Sequence, residues 1–344
     1  MTASHDVAER LERQARFCTS MGAPLCGALL QEAAGSYRAA GAVRELFERY
    51  PELEPLPRAG IRLLAALHYC ALAGQAPAIA AHLPSCGGDG DARAAWIAAR
   101  EFITAHPSRI HELCLHTPQT NEPARSTVLL AGLLRLAAMV RFPVRLFEFG
   151  ASAGLNTRLD RYRYEGNGWA WGDPRSPLVL RNRERSGRPR ALDADLRIAE
   201  RAACDLHPLD LANEEDRLSL RSFVWADQVE RLDRLDRAIE AANSVAMRVE
   251  QSNALPWVRK RFVPKQGTAT VVMHSLVAYY LTEKQRERLI AAIEGAARDA
   301  QADAPMAWLR FESYPFETRF VLWPGRREIR IARSDGHAQE IEWS

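Results

Sequence analysis

The sequence lacks several patterns that would assign it to a well-defined class of protein. Its six cysteines are scattered and include no Cys-x-x-Cys pair, which argues against a zinc knuckle, a redox motif or a compact disulfide framework. The N-terminal segment is charged and has no signal-like apolar core, and the longest apolar stretch, residues 127–140, contains Arg135 and is short for a bilayer. We therefore expect a cytoplasmic protein without a membrane anchor.

An excess of charge of one sign is also missing. Over 344 residues the formal net charge is +3, which favours neither a nucleic-acid binder nor a membrane-surface protein. Two basic segments, residues 181–190 and 259–265, leave open a weak RNA-binding alternative, because basic residues interleaved with aromatic rings can follow a phosphate backbone. Solvated surface loops explain both segments as well, so nucleic acid is not the expected partner.

The zinc-protease helix motif is absent too. His111 and Cys114 lie in a stretch that resembles it superficially, but the motif needs histidines at i and i+4, and position 115 is leucine. His106 and His116 complete a ligand set only on paper, and a solvated or capping helix face accounts for these residues. No metal site is predicted.

Two regions differ in their hydrophobic periodicity. Residues 1–142 carry apolar residues at helical spacing, which predicts an all-helical N-terminal domain, with a lid as one role for it. Its last helix should span residues 122–139, capped by Asn121 or Thr120. From Val144 strands alternate with helices, the pattern of a parallel sheet covered on both faces. The second domain, 143–344, should contain strands ending near residues 149, 205, 250, 273 and 311, an irregular insertion near 166–195, and a hairpin of 319–323 with 328–332.

The segment Val144–Asn156 is the most informative part of the sequence. It predicts a strand, a tight loop of small residues and the start of a helix, whose exposed amides would hold a carboxylate or a phosphate. The dinucleotide fingerprint G-x-G-x-x-G is not met, because Ser152 replaces its second glycine and Leu155 its third. An ordinary strand-to-helix turn of an α/β protein is the alternative.

Residues 148–154 follow the pattern acid-x-Gly-x-small-x-Gly, where x is any residue. This pattern resembles the first motif of class I S-adenosylmethionine (SAM)-dependent methyltransferases. In that family the loop packs against the methionine part of the cofactor. The resemblance implies SAM as the cofactor and a Rossmann-like, methyltransferase-type α/β fold, mostly parallel with an antiparallel C-terminal hairpin. Serine at the middle position departs from the usual glycine. The residues assigned to the cofactor here are Glu148, Gly150, Ser152, Gly154 and Asn156.

The same resemblance assigns residues after the second and third strands. Asp205 should accept hydrogen bonds from the ribose hydroxyls, with a helix cap or Asx-turn as its alternative role and Glu200 as the substitute if the strand ends earlier. Asn253 should face the adenine, where family members frequently carry aspartate. Trp257 either stacks on a ring or belongs to the core.

The end of the fourth strand supplies the candidate catalytic residues. His274 should lie beside the transferred methyl group, followed by Tyr279, because ligands gather at the carboxyl ends of parallel strands. A neutral histidine can take a proton from an acceptor, and the alternative is a histidine that only hydrogen-bonds across the top of the sheet. Three polar clusters are candidates for the acceptor pocket, with caps and turns as their alternative: Gln119, Asn121, Glu122 and Arg125; Trp171 and Asp173; Trp225 and Asp227.

Several segments together, among them Gln119–Glu122, Phe147–Asn156, Trp171–Pro174, Cys204–Asp210 and Trp323–Gly325, resemble an uncharacterised bacterial family of unknown function over most of the chain. The expected function is transfer of a methyl group from SAM to an acceptor, most simply a small molecule. A non-catalytic module that binds a nucleotide-like ligand or a protein on the same fold is the alternative.

Overall fold

A computed structural model describes residues 6–313 and 315–344, so residues 1–5 of the predicted N-terminal domain lie outside the described residues. The α-helices are α1 Val7–Ser20, α2 Pro24–Arg38, α3 Ala42–Arg49, α4 Ala59–Leu72, α5 Pro77–Ala80, α6 Ala92–Ala105, α7 Pro107–Cys114, α8 Ser126–Val140, α9 Glu214–Ser222, α10 Val229–Ala242, α11 Ala254–Arg261 and α12 Glu283–Ala296. The strands are β1 Val144–Phe149, β2 Arg163–Gly166, β3 Trp169–Trp171, β4 Val179–Arg181, β5 Arg183–Ser186, β6 Ile198–Asp205, β7 Val249–Gln251, β8 Ala269–Ser275, β9 Met306–Glu312, β10 Glu317–Trp323, β11 Arg327–Ser334 and β12 Glu340–Trp343.

The chain forms two compact units. The first comprises Met1–Thr120 with Leu211–Asp233, and the second comprises Asn121–Asp210 with Arg234–Ser344. These limits differ from the expected domain limit at residue 142. One reason is that α8 packs on β9, β10 and β11, which belong to the second unit, and the other is that α9 packs on α4 of the first unit.

The first unit is helical, as its sequence periodicity predicts, and its described residues contain no strand. Helix α4 is buried along most of its length, so it forms the centre around which neighbouring helices pack. Three aspartates begin helices by accepting backbone amides, the first being Asp6, which accepts from Ala8 at the start of α1. Asp91 accepts from Arg93 and Ala94 at the start of α6, and Asp227 accepts from Leu25 and Cys26 at the start of α2.

A nine-stranded sheet organises the second unit, in the order β5-β12-β11-β10-β9-β8-β1-β6-β7. The five strands β7, β6, β1, β8 and β9 are parallel, and β10, β11 and β12 continue as antiparallel strands. Counted along the chain, the parallel strands lie in the order third, second, first, fourth, fifth. The order therefore reverses between β1 and β8, which is the position where open α/β sheets bind ligands.

Helices cover both faces of this sheet. Two neighbouring residues of β9 show this, because neighbouring side chains on a strand point to opposite faces. Trp308 packs in an apolar core with Trp257 of α11 and Ile293 of α12. Leu309, the next residue, lies against Gly132 of α8, so closely that a methyl group on Gly132 would lie 2.6 Å from Leu309 Cδ1. The fold is thus a mixed α/β fold with a helical N-terminal region, a mostly parallel central sheet and antiparallel C-terminal strands.

Three local expectations were wrong. The loop after β1 leads into a 3-10 helix, Asn156–Arg161, with non-helical torsions at Arg158, so the expected α-helix N-terminus for an anion is missing there. Neither Asn121 nor Thr120 caps the next helix, since Glu122 caps the 3-10 turn Pro123–Arg125 that precedes α8. The insertion near 166–195 is not irregular throughout, because β3 and β4 pair with β2 in a second sheet and β5 pairs with β12, while residues 187–195 have no regular structure.

One segment, Pro123–Val140, is long and apolar enough to cross a membrane by length and composition. Of this segment 78% is buried inside the protein, because α8 packs on the sheet. Such burial is typical of the core helix of a soluble protein.

Candidate functional site

The loop Gly150–Leu155 follows β1 at the carboxyl edge of the sheet. Three of its residues have left-handed backbone torsions, with φ of +65° at Gly150, +56° at Ser152 and +73° at Gly154. Serine in this conformation is uncommon, so the loop holds a strained turn at the position where the sequence resemblance expects glycine. The Oγ of Ser152 is buried and has no hydrogen-bond partner within the described chain.

Asp205, at the end of β6, faces this loop. One carboxylate oxygen accepts a hydrogen bond from the amide of Ser152 at 2.8 Å, and the other accepts from the amide of His207 at 2.9 Å. The second bond is the Asx-turn that the sequence left open, and the first ties the loop to the neighbouring strand. An ionised carboxylate has about four acceptor positions, so it can take further donors such as hydroxyl groups.

Glu148 is buried beneath the loop, on the same face of the sheet as Asp205, with only 1% of its surface exposed. Burial is the main reason that the pKa of its carboxyl group is raised to about 8, and the charge of Asp205 raises it further, against the hydrogen bond from Thr157 and the charge of Arg158. Near neutral pH this carboxyl group therefore holds its proton.

Buried polar side chains fix the loop from below. Arg158 donates to the carbonyls of Ala153, Gly154 and Met247. Asn121 accepts from the amide of Leu155 at 3.0 Å. The loop is thus held by groups on both sides in the sequence.

The sides of the two loop glycines are closed by the chain itself. A Cβ at Gly150 would lie 2.3 Å from Cγ2 of Val277, and a Cβ at Gly154 would lie 2.6 Å from Cε of Met247. Packing inside the protein therefore already requires glycine at both positions. This agrees with the alternative interpretation of the loop as an ordinary strand-to-helix turn. A ligand that approaches Gly150 has to displace the Val277 side chain.

His274 is the penultimate residue of β8, directly beside the loop. Its imidazole is 4% exposed and stacks on Phe149 of β1, with ring centroids 4.5 Å apart, and on Trp308 of β9 at 5.9 Å. Nδ1 lies 2.8 Å from Oε1 of Glu312, whereas Nε2 is buried and has no partner in the part of the chain that the structure describes.

Glu312 is itself held in place at the end of β9. Its Oε1 also accepts from the amides of Val277 and Ala278 at 2.9 and 3.1 Å. Burial opposes ionisation of Glu312, but the hydrogen bond and charge of His274 and the two amides outweigh it and keep its pKa below the ordinary value. The pair joins a carboxylate to a histidine whose second nitrogen is unused.

The other residues assigned to the cofactor take structural positions. Glu200 lies opposite Arg145 at the start of β1 and pairs with it at 2.7 Å, so it is far along the strand from the loop and cannot substitute for Asp205. Asn253 accepts from the amide of Leu255 and caps α11. Asn156 is buried and accepts from Ser126 at 2.8 Å. Trp257 belongs to the core.

The three acceptor clusters do not form one group. Asn121, Glu122 and Arg125 begin the second unit, where Glu122 pairs with Arg234 at 2.9 Å and Arg125 donates to the carbonyl of Gly336 at 3.0 Å. The remaining members lie elsewhere: Gln119 is buried in the first unit, Trp171 is in β3, Asp173 forms a surface turn with Arg175, and Trp225 packs on Phe17 in the first unit beside Asp227, the cap of α2. Tyr279 is 60% exposed, in a 3-10 turn after β8.

The first unit contains a small apolar cavity of about 20 Å³, lined in part by Leu29, Leu64 and His68. His68 contacts Ser85 Oγ at 2.8 Å and the carbonyl of Ser222 at 3.1 Å. Burial lowers the pKa of His68 to about 4, and the amides of Ser85, Cys86 and Gly87 are all bonded to carbonyls. His68 and Ser85 therefore lack the basic histidine and the oxyanion donors that a catalytic pair needs, and we assign both residues a structural role.

Among residues 6–313 and 315–344 no group of side chains has a metal-binding arrangement.

Comparison with known proteins identifies the family. A family model described as "Uncharacterized protein conserved in bacteria (DUF2332)" matches residues 8–343. The chain belongs to this family. No curated protein and no solved structure matches it. The family description names no activity, so methyl transfer remains a proposal for this DUF2332 chain.

Sequence reasoning missed Glu312, Val277 and Arg158. Glu312 stands one residue beyond the predicted end of β9, and the rule that ligands gather at the carboxyl ends of parallel strands gives a signal for it. No comparable signal exists for Val277 and Arg158. Val277 contacts Gly150 from a distant part of the sequence, and Arg158 has non-helical backbone torsions inside a 3-10 helix. In this DUF2332 chain the site therefore depends on more residues than its motif contains.

Proposed function

We propose that this protein binds S-adenosylmethionine at the carboxyl edge of β1 and transfers its methyl group to an acceptor. One observation carries the proposal. The small-residue loop 150–155 follows β1, one of the two strands between which the order reverses, and its Ser152 amide donates to the carboxylate of Asp205 at the end of the neighbouring strand β6. A parallel sheet with the strand order described above supports the same conclusion.

The groups at this edge suit the cofactor in their hydrogen-bonding capacity. Asp205 retains acceptor positions for the two ribose hydroxyls. The Oγ of Ser152, which has no hydrogen-bond partner among the described residues, can bond a polar group of the cofactor. When bound, SAM supplies an electrophilic methyl group on a sulfonium. The loop and Asp205 would orient it, and His274 would face the acceptor. The Val277 side chain must move from Gly150 for this to happen.

Buried or half-buried cysteines with free thiols support a reducing compartment, and we propose the cytoplasm. The acceptor we propose is a small molecule rather than a nucleic acid, because the arginines at 181, 183, 185 and 261 are paired with glutamates.

The test is a calorimetric titration with SAM and with S-adenosylhomocysteine (SAH). We expect saturable binding with one site per chain, weakened about tenfold or more in Asp205→Asn. Asp91→Asn is the matched control, because Asp91 also accepts two backbone amides, one of them two residues on, at the start of α6. The control should bind as the wild type does. Absence of binding to both compounds in a folded wild-type protein refutes the proposal and favours the non-catalytic module.

A further inference from the structure

We propose that Glu312 and His274 form a proton-accepting pair, with His274 as the base and Glu312 as its positioning residue, for an acceptor that carries a weakly acidic hydroxyl on a planar ring. This inference rests on the proposed methyl transfer and names its substrate class. Its first basis is the fixed tautomer. Glu312 Oε1 accepts two backbone amides and therefore faces Nδ1 as an acceptor, so Nδ1 carries the hydrogen and Nε2 is left with its lone pair.

The second basis is the surroundings of Nε2. β8 lies between β1 and β9, so Phe149 and Trp308 flank the imidazole from two sides, with interplanar angles of 24° and 29°. With both faces covered by rings, a partner would have to meet the imidazole at the edge that carries Nε2, and that edge is itself buried. A flat acceptor in the plane of the imidazole would meet Nε2 without displacing either ring. Over nine-tenths of His274 is buried, and its Nε2 has no partner among the described residues. A buried nitrogen without a hydrogen bond lowers the stability of a fold, so we take Nε2 as a group that bonds a ligand.

The chemistry requires a base only for certain acceptors. A hydroxyl of the phenol type must lose its proton as its oxygen bonds the methyl carbon, whereas a thioether has no proton to lose. The proton passes to Nε2 of His274, the methyl–sulfur bond breaks with its electron pair on sulfur, and the imidazolium later releases the proton to water. The negative charge of Glu312 stabilises that imidazolium.

Among the described residues, few charged groups lie around His274. Arg310 is its register partner on β9 and lies over the Trp308 ring, and Glu317 of β10 is the register partner of Glu312. Arg310 pairs with Glu328, and Glu317 pairs with Arg319 and Arg333. Tyr279 and Tyr280 follow β8. Glu312 is the carboxylate that contacts the imidazole.

The first measurement is nitrogen NMR of the imidazole of His274 in the protein without added ligand. We expect a proton on Nδ1 and none on Nε2. A proton on Nε2 overturns the pair, and this result needs no variant.

The second measurement is the pH titration of the same imidazole in Glu312→Gln. The glutamine oxygen can accept the same three donors, so the variant removes the charge and keeps the acceptor. We expect the titration midpoint to fall by about one pH unit or more. Glu184→Gln is the matched control, because Glu184 Oε1 also accepts two N–H donors, the indoles of Trp169 and Trp343, but lies on β5 at the edge of the sheet, well away from β8. An unchanged midpoint in Glu312→Gln refutes the role of Glu312.

The third measurement tests the substrate class with two probes, with and without saturating SAH. Phenol should shift the Nε2 resonance of His274, and anisole, which lacks the acidic proton, should shift it at least fivefold less. Equal or absent shifts overturn the substrate class. Failure of SAH to bind refutes the proposed function alone, whereas SAH binding with a wrong tautomer refutes the pair alone.

Discussion

At the scale of single residues, Glu148 is a carboxyl group that the fold keeps out of water. It lies under the loop that we propose binds the cofactor, with Thr157 as its hydrogen-bond partner. Because its pKa rises from 4.5 to about 8 on folding, the native state binds a proton that the unfolded chain has already lost over that range. The loop is therefore built over a neutral acid.

This protonation predicts how stability depends on pH. The contribution of Glu148 is fully present below about pH 4.5 and is lost as the pH rises through about 8. Glu148→Gln, which stays neutral, should remove this part of the decline, so that its free energy of unfolding relative to the wild type improves by a few kcal/mol, as an order of magnitude, between pH 5 and pH 8. Urea unfolding at several pH values measures this. Parallel profiles for the two proteins would contradict it.

At the scale of elements, the contact of α8 with the sheet fixes where the second unit begins. Gly132 lies against Leu309, and no room exists between them for a methyl group. The sequence predicted α8 as a helix because of its apolar residues, but helical periodicity does not reveal on which unit a helix packs. The limit of the unit followed only from the structure.

Replacing two helical glycines by alanine should therefore change the stability of the protein in opposite directions. Gly35→Ala in α2 meets open space and should stabilise the protein by about 0.5 to 1 kcal/mol, the difference in helix propensity. Gly132→Ala in α8 forces the Leu309 side chain to move and should destabilise by about 1 to 3 kcal/mol, the usual cost of overpacking. Denaturant unfolding of both variants measures the difference. A stabilising Gly132→Ala would show that α8 does not pack on β9 in this way.

At the scale of the whole molecule, the cysteines test the packing of the fold. Cys86 is the half-buried thiol, whereas the other five thiols are buried. Burial raises the pKa of Cys18 and Cys70 to about 11, so few of these groups ionise near neutral pH.

A thiol reagent should therefore react quickly with at most one group, Cys86, in the native protein. In denaturant without a reductant it should react with all six. Two or more fast native thiols would contradict the packing, and fewer than six in denaturant would reveal a disulfide and weaken the proposed cytoplasmic location.

Local patterns of the sequence predicted much of the fold. The strands β1, β6, β8 and β9 lie close to their expected positions, because β1, β8 and β9 are largely apolar runs and a turn follows the end of β6 at Asp205. β5 and β12 were missed, since short strands rich in charged residues depend on pairing with partners elsewhere in the chain, as β12 pairs with β5 and β11. The surroundings of the loop were predicted in part: Asp205 and His274 flank it, but Glu312, which contacts His274, and Val277, which lies against Gly150, belong to no short motif.

Hydrogen exchange of the backbone amides in residues 150–155, with and without saturating SAH, tests the central claim most directly. The account predicts that SAH slows exchange in this loop and around Asp205 by at least severalfold, while the helices of residues 6–120 exchange as before. Binding of SAH that leaves the loop unchanged, or no effect at any concentration, would contradict the proposed site.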